Sequence, residues 1–320
     1  MATPIHGIHH VTAIAGNARR NLDFYTRTLG LRLVKKTVNF DDPGAYHFYY
    51  GDAAGSPGTI LTFFPWEHAA PGRAGAGELS ETAFRIPQGA VGYWTGRLMD
   101  HGLQRTERFG ETVLRFQDPD GLPLSLVAIP GIENEPAWDS TTHGGASSSD
   151  AVPAEHALRG FHGVTLTLGA TAATGAILTD VFGFREAAKD GDTLRFQVPD
   201  QPGVPGGIVD LRAVAGLAPG RLGRGSVHHL AFRAADDAAE MEMVRKLAAN
   251  HGLRTTEQKD RDYFRSVYFR EPGHVLFEIA TDIPGFAVDE PADSLGQALK
   301  LPRFLEAHRR EIEQALPALA

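Results

Sequence analysis

Gly225-Ser226-Val227-His228-His229-Leu230-Ala231-Phe232-Arg233 and Val275-Leu276-Phe277-Glu278-Ile279-Ala280 are the two stretches on which the reading of this chain turns. Each alternates apolar with polar or small residues and lies beside Gly or Pro, the pattern of a strand whose successive side chains point to opposite faces. In the first, His228, Leu230 and Phe232 share one face, and His229 shares the other with Ala231. In the second, Phe277 and Ile279 take the apolar face and leave Glu278 opposite. A histidine and a carboxylate that both turn away from a packing face make half of a metal site. The sequence should supply the other half elsewhere.

Composition narrows what such a site can be. With 320 residues and 42% hydrophobic content at a mean hydropathy of −0.20, the chain is long enough for two domains with their own cores. No apolar run approaches the ~20 residues that cross a bilayer, and no basic segment precedes an apolar signal core, so a cytoplasmic protein is expected. The chain has no cysteine, which excludes disulfides, thiolate zinc sites and cysteine nucleophiles. Any metal must then be held by His and carboxylates. A net charge of −8 without a basic cluster speaks against nucleic acid, which is bound through phosphate-neutralising Lys and Arg. A small molecule is the expected partner, with no membrane, and self-association into a homo-oligomer is left open.

The chain repeats itself. From Gly7 it reads as a strand (Ile8 to Ala15), an amphipathic helix (Ala18 to Thr28) and three strand-like runs near Leu31–Asn39, Ala45–Tyr50 and Thr59–Phe64, a βαβββ unit. A second unit runs from Glu78 to Ile129. Gly160-Phe161-His162-Gly163-Val164-Thr165 echoes Gly7-Ile8-His9-His10-Val11-Thr12 and opens a third, and Ser226 opens a fourth. His251-Gly252-Leu253, ending the fourth unit's helix, matches His101-Gly102-Leu103 in the second. Units one and three are alike, as are two and four. The implied organisation is an N-terminal half (1–130), a linker (131–159) containing Gly144-Gly145-Ala146-Ser147-Ser148-Ser149, a C-terminal half (160–284) and a tail (285–320). Within the tail, Leu301 to Leu316 reads as one amphipathic helix with Phe304, Leu305, His308 and Ile312 on one face.

Four βαβββ units with ligand-type residues at their starts and ends resemble the vicinal oxygen chelate superfamily (glyoxalases, bleomycin-resistance proteins, extradiol dioxygenases). The resemblance implies an α+β fold in which two units curl into one incomplete mixed barrel around a metal. On the first strand His9 travels with Val11 and Ala13, an outward apolar face, and His10 with Thr12, a face suited to the barrel interior. His10, His229 and Glu278 then form a two-His-one-carboxylate set, which leaves coordination positions open. All three can meet only if unit one pairs with unit four, and unit two therefore with unit three. In the second barrel the matching places fall on Gly163, Glu81 and Leu126, so no metal is expected there. His9 and His228 point outward by strict alternation.

Asp260-Arg261-Asp262-Tyr263-Phe264-Arg265-Ser266-Val267-Tyr268 together with the two His-His pairs sharpens the resemblance. It is similar to the hydroquinone ring-cleaving dioxygenases and their bacterial quinone-responsive homologues. That branch implies Fe(II) on His10, His229 and Glu278, Arg261 and Tyr268 on the substrate side, and His9, Thr12 and His228 in supporting positions. Mn(II) and Zn(II) accept the same donors. The implied partners are a small aromatic substrate and O2. Taken alone, Arg261 reads equally as a surface ion-pair partner of Asp260 or Asp262, and Tyr268 faces the ligands only if its strand pairs without a bulge. Two other readings stand beside this one. A glyoxalase-type isomerase would want a fourth protein ligand, which Thr59-Ile60-Leu61-Thr62-Phe63-Phe64 does not offer as a carboxylate. A non-enzymatic binding protein would not need the triad.

Overall fold

The computed structural model describes residues 7–138, 151–199, 201 and 203–319. Unit one supplies β1 (Ile8–Ala15), β2 (Arg32–Asn39), β3 (Asp42–Gly51) and β4 (Ile60–Pro65); unit two β5 (Glu78–Pro87), β6 (Gln104–Arg108), β7 (Glu111–Gln117) and β8 (Pro123–Ile129). Unit three supplies β9 (Phe161–Leu168), β10 (Arg185–Asp190), β11 (Thr193–Gln197) and β12 (Ile208–Ala213); unit four β13 (Ser226–Ala234), β14 (Lys259–Asp260), β15 (Phe264–Arg270) and β16 (Leu276–Pro284). Each unit crosses over through one α-helix: α1 (Ala18–Asp23), α2 (Val91–Arg97), α3 (Ala172–Asp180) and α4 (Asp237–His251), with α5 (Arg309–Ala315) in the tail.

The strands form two eight-stranded sheets, ordered β14-β15-β16-β13-β1-β4-β3-β2 and β10-β11-β12-β9-β5-β8-β7-β6. Antiparallel pairing of β1 with β13 joins unit one to unit four, and that of β5 with β9 joins unit two to unit three. Within each unit the first and last strands are parallel, so both curled sheets are mixed. The α+β fold of two incomplete barrels, with units 1 and 4 paired and units 2 and 3 paired, is the one expected.

Local chemistry explains the element ends. Asn17 caps α1 by accepting from the Arg20 amide, Asp236 caps α4 by accepting from the Ala239 amide, and Gly252 stops α4 in the left-handed conformation at φ 65°. The expected helix Ala18–Thr28 instead changes at Asp23 into a π-helical turn, Phe24–Thr28. The wider turn delivers Phe24 and Tyr25 into the core, where the Tyr25 hydroxyl donates to Asp118 at 2.9 Å. One apolar core gathers residues of all four units; Phe182 of unit three stacks on Phe232 of unit four with ring centroids 3.9 Å apart.

The tail departs from its expectation. A 3-10 segment, Arg303–His308, precedes α5, and its three-residue turn shifts the helical phase. Ile312 and Leu316 are buried, while Phe304 and His308 face solvent. Of the segment 131–159, residues 139–150, including the Gly-Ser run, lie outside the described residues. Its flanks pack: Ile132, Val152 and Leu158 are buried, and the Arg159 guanidinium donates to the carbonyls of Ala157, Glu133 and Ala154. Among the described residues no helix is long and apolar enough to cross a membrane.

Candidate metal centre

The three candidate ligands arrive on the adjacent central strands β1, β13 and β16, and the register aims them at one point. Ala231 lies opposite His10 on one side and Glu278 on the other, and His229 lies opposite Thr12. His10 Nε2 and His229 Nε2 are 3.3 Å apart, and Glu278 Oε2 lies 3.3 Å and 2.9 Å from them. One donor atom from each residue falls within 4.8 Å of the others. His10 is 2% exposed, His229 5% and Glu278 not at all. Despite these short separations, neither carboxylate oxygen accepts a hydrogen bond of acceptable angle. Burial opposes ionisation of Glu278, yet the facing His10 and His229 hold its pKa well below the usual carboxylate value. A buried anion met by two imidazole nitrogens, with no described Lys or Arg paired to it, fits a divalent cation.

His9 and His228 were expected to face outward, and here the structure corrects strict alternation. The β1–β13 register slips twice, leaving His9 as an extra residue between Ile8 and His10, and His228 as an extra residue between Val227 and His229. These bulges turn both side chains toward their neighbours. His9 Nδ1 lies 2.9 Å from His10 Nδ1, and His228 Nδ1 lies 2.8 Å from His229 Nδ1. Burial first, then the adjacent ring, lowers both pKa values, His228 to about 3. Each therefore stays neutral and shares one proton between its Nδ1 and the Nδ1 of the histidine beside it. With Nδ1 engaged in this way, Nε2 is the atom that His10 and His229 each turn toward Glu278.

His10 and His229 open onto a cavity of about 320 Å³, lined on the same side by His228, Arg261, Phe264 and Tyr268. No bulge interrupts the pairing of Tyr268 with Glu278, and the Tyr268 ring meets His229 edge-on at 5.6 Å. Burial and then Glu278 raise the Tyr268 pKa, keeping the phenol protonated. Arg261 pairs with neither Asp260 nor Asp262: its guanidinium sits 5.6 Å from the Tyr268 ring centre and 3.6 Å from Asp41 across the cavity mouth. Thr12 is fully buried, its hydroxyl 2.8 Å from that of Thr62. Phe264, which packs on both His9 and His10 at 5.2 and 5.1 Å, was missed by the sequence reading, as were the opposite walls, Phe40, His47, Tyr49, Phe64 and Trp66. Nothing in their spacing distinguishes these from core aromatics.

Residues 7–126 match the model of the Glyoxalase/Bleomycin resistance protein/Dioxygenase superfamily. The chain is 43% identical over 318 residues to MhqO of Bacillus subtilis, named "Putative ring-cleaving dioxygenase", with 99% of this chain and 97% of that one covered. It belongs to this superfamily. A further member, the chlorohydroquinone/hydroquinone 1,2-dioxygenase of Sphingobium indicum, is 32% identical over 96% of this chain and 95% of its own. The crystal structure of a putative dioxygenase from Bacillus subtilis superposes with a TM-score of 0.90 at 42% identity, covering 100% of this chain and 99% of that one.

The superfamily's repeated architecture allows the second sheet to be read position by position. Ala83 faces Ser125 as Ala231 faces Glu278, so the counterpart of Glu278 is Ser125. The expected Leu126 is one residue out of step: it pairs with Phe84, as Ile279 pairs with Phe232. Gly163 replaces His10, and a Cβ there would lie 2.4 Å from the Ile208 carbonyl oxygen. Glu81, in the place of His229, is occupied by Arg115 at 2.8 Å, Ser125 at 2.9 Å and Arg108 at 3.0 Å. His162, at the second sheet's matching bulge, pairs with Glu111 at 3.0 Å.

Proposed function

We propose that this chain is an Fe(II)-dependent ring-cleaving dioxygenase of the hydroquinone 1,2- type, acting on a hydroquinone or a catechol-like dihydroxylated ring together with O2. The observation that carries the reading is the convergence of His10, His229 and the fully buried Glu278 beside an aromatic-walled cavity that also holds Arg261 and Tyr268. The names of the relatives support the same chemistry. The resident ion would be Fe(II) on His10, His229 and Glu278, with Mn(II) and Zn(II) able to take the same donors.

Bound there, Fe(II) supplies the redox coupling between an electron-rich ring and dioxygen. The side chains provide the rest. Arg261 offers a fixed positive charge to a substrate phenolate and to negative charge developing on oxygen. Tyr268, held neutral, donates a proton or a hydrogen bond at the oxygen nearest His229. Phe264, Tyr49 and Phe64 hold the ring and exclude water, and a cavity of about 320 Å³ lies at the small end of ligand sites. His9 and His228 engage Nδ1 of the two histidine ligands. Thr62, with its hydroxyl tied to Thr12, stands where an isomerase would want a fourth, carboxylate ligand.

The test is anaerobic reconstitution with Fe(II), followed by oxygen uptake on addition of hydroquinone, methylhydroquinone or catechol. The expected result is one O2 consumed per ring opened, absent without Fe(II) and absent in His229→Ala. No uptake with any of the three, at one bound Fe(II) per chain, would reject the reading.

A further inference from the structure

The centre is asymmetric in a way that exposes one more functional side chain. An approximate two-fold relates unit one to unit four: His10 answers to His229, and Thr12 to Ala231. Carried outward through the register, Thr62, paired with Thr12, answers to Glu278, paired with Ala231, and Tyr49 answers to Tyr268. The third ligand therefore exists on one side only. The side without a protein ligand faces Thr62.

On that side His47 is held rigidly. Its Nε2 lies 2.9 Å from the Thr62 hydroxyl, which is itself 2.8 Å from that of Thr12. Its ring is clasped between Tyr49 and Phe64, with centroids 4.1 and 4.3 Å away. Burial lowers its pKa well below the ordinary imidazole value, so it is neutral and carries one donor and one acceptor nitrogen. Thr62 uses one of them. The ring lines the cavity, and no described residue takes the other. An apolar ring would fill the aromatic clasp equally well, and the imidazole instead leaves one polar nitrogen open to the cavity, the kind of placed polar group that orients a ligand.

We propose that His47 is a substrate-contacting residue: its free Nδ1 hydrogen-bonds the ring hydroxyl that the metal does not hold, from the wall opposite Arg261 and Tyr268. His47 thereby selects rings bearing a second hydroxyl over simple phenols. This rests on the site being one for dihydroxylated aromatics.

The test is calorimetric binding under argon to the Fe(II)-reconstituted protein, with hydroquinone and phenol as probes. The wild type should bind hydroquinone about tenfold more tightly than phenol, the scale of one well-made hydrogen bond. His47→Phe should weaken hydroquinone about tenfold, leave phenol unchanged and retain one Fe(II) per chain, while His47→Gln recovers part of the loss. Should the larger ring disturb the fold, His47→Leu gives the same comparison. An unchanged hydroquinone-to-phenol ratio in metal-replete variants would overturn the assignment, as would equal losses for both ligands. A metal-replete wild type that binds neither probe would reject the underlying reading of the site, and the assignment with it.

Discussion

Replacing Glu278 with glutamine should have opposite effects on stability with and without metal. In the metal-free protein the carboxylate is fully buried, no described Lys or Arg pairs with it, and His229 Nε2 faces it at 2.9 Å. Glutamine keeps the shape, removes the buried charge and can donate its amide proton to that nitrogen. The metal-free variant should be as stable as the wild type or up to about 2 kcal/mol more so. Saturation with metal reverses the order. An ion at 100 times its dissociation constant stabilises the native state by about 2.7 kcal/mol, and a hundredfold loss of affinity cuts this to about 0.4 kcal/mol. Urea unfolding at pH 7.5, with and without Mn(II) as an air-stable probe, reads both terms. The refuting result is a metal-free variant about 3–5 kcal/mol less stable than wild type, the cost of breaking an ordinary buried ion pair. Glu278 would then be satisfied by protonated histidines and not poised for a cation.

Three further outcomes follow from the same geometry. His228→Ala should raise the metal dissociation constant by about 10–100-fold by freeing the His229 ring, measured by competition with a chelating indicator; an unchanged constant would remove the orienting role. Gly163→Ala places a Cβ 2.4 Å from the Ile208 carbonyl oxygen, so urea unfolding should show a loss of about 1–3 kcal/mol with metal affinity intact. Metal-free protein should lose stability as pH falls from 7.5 to 5.5. His9, His47, His228 and His229 all have lowered pKa values, so the unfolded chain binds protons near pH 6.5 that the native state refuses. Each imidazole held neutral contributes a slope of about 1.4 kcal/mol per pH unit. Asp118, raised to about 6 by burial, opposes one of the four below that pH. A flat profile between these two pH values would contradict the burial of neutral imidazoles.

The sequence carried the pairing of units because it rests on repeats: His9-His10 and His228-His229 cannot meet Glu278 unless β1 lies beside β13. It carried the convergence of the candidate ligands because strand alternation separates His10 from Val11 and Glu278 from Ile279, and the structure brings His10, His229 and Glu278 together. Alternation failed at the bulges, where one extra residue per strand re-aims His9 and His228, and no local residue type announces a bulge. It failed again at Leu126, since apolar residues on adjacent strands match equally well one step out of register. His47 lies between Tyr46 and Phe48 in a run of aromatics, where only the partnership with Thr62 marks it. The π-turn at Phe24 and the 3-10 segment before α5 depend on what packs against them and left no mark in the pattern.

The two sheets solve the same problem differently. Each curled sheet buries acidic side chains at its axis, and a buried anion requires a cation. In the second sheet the cations are side chains: Arg108 and Arg115 meet Glu81, and Arg195 clasps Asp210 through two contacts of 2.9 Å and reaches Glu111 at 2.7 Å. That ion-pair network is complete within the fold, with Arg108 and Arg115 on β6 and β7 in the positions of Arg261 and Tyr268 relative to their sheet. In the first sheet those positions hold an arginine turned toward the cavity mouth and a neutral phenol, and no described Lys or Arg pairs with Glu278. On the function proposed above, the positive charge that the second sheet carries covalently is recruited by the first as a bound ion. One half of the molecule is then a fixed scaffold, and the other keeps its axial anion available for an exchangeable ion and, on the inference drawn for His47, its open side available for a ligand.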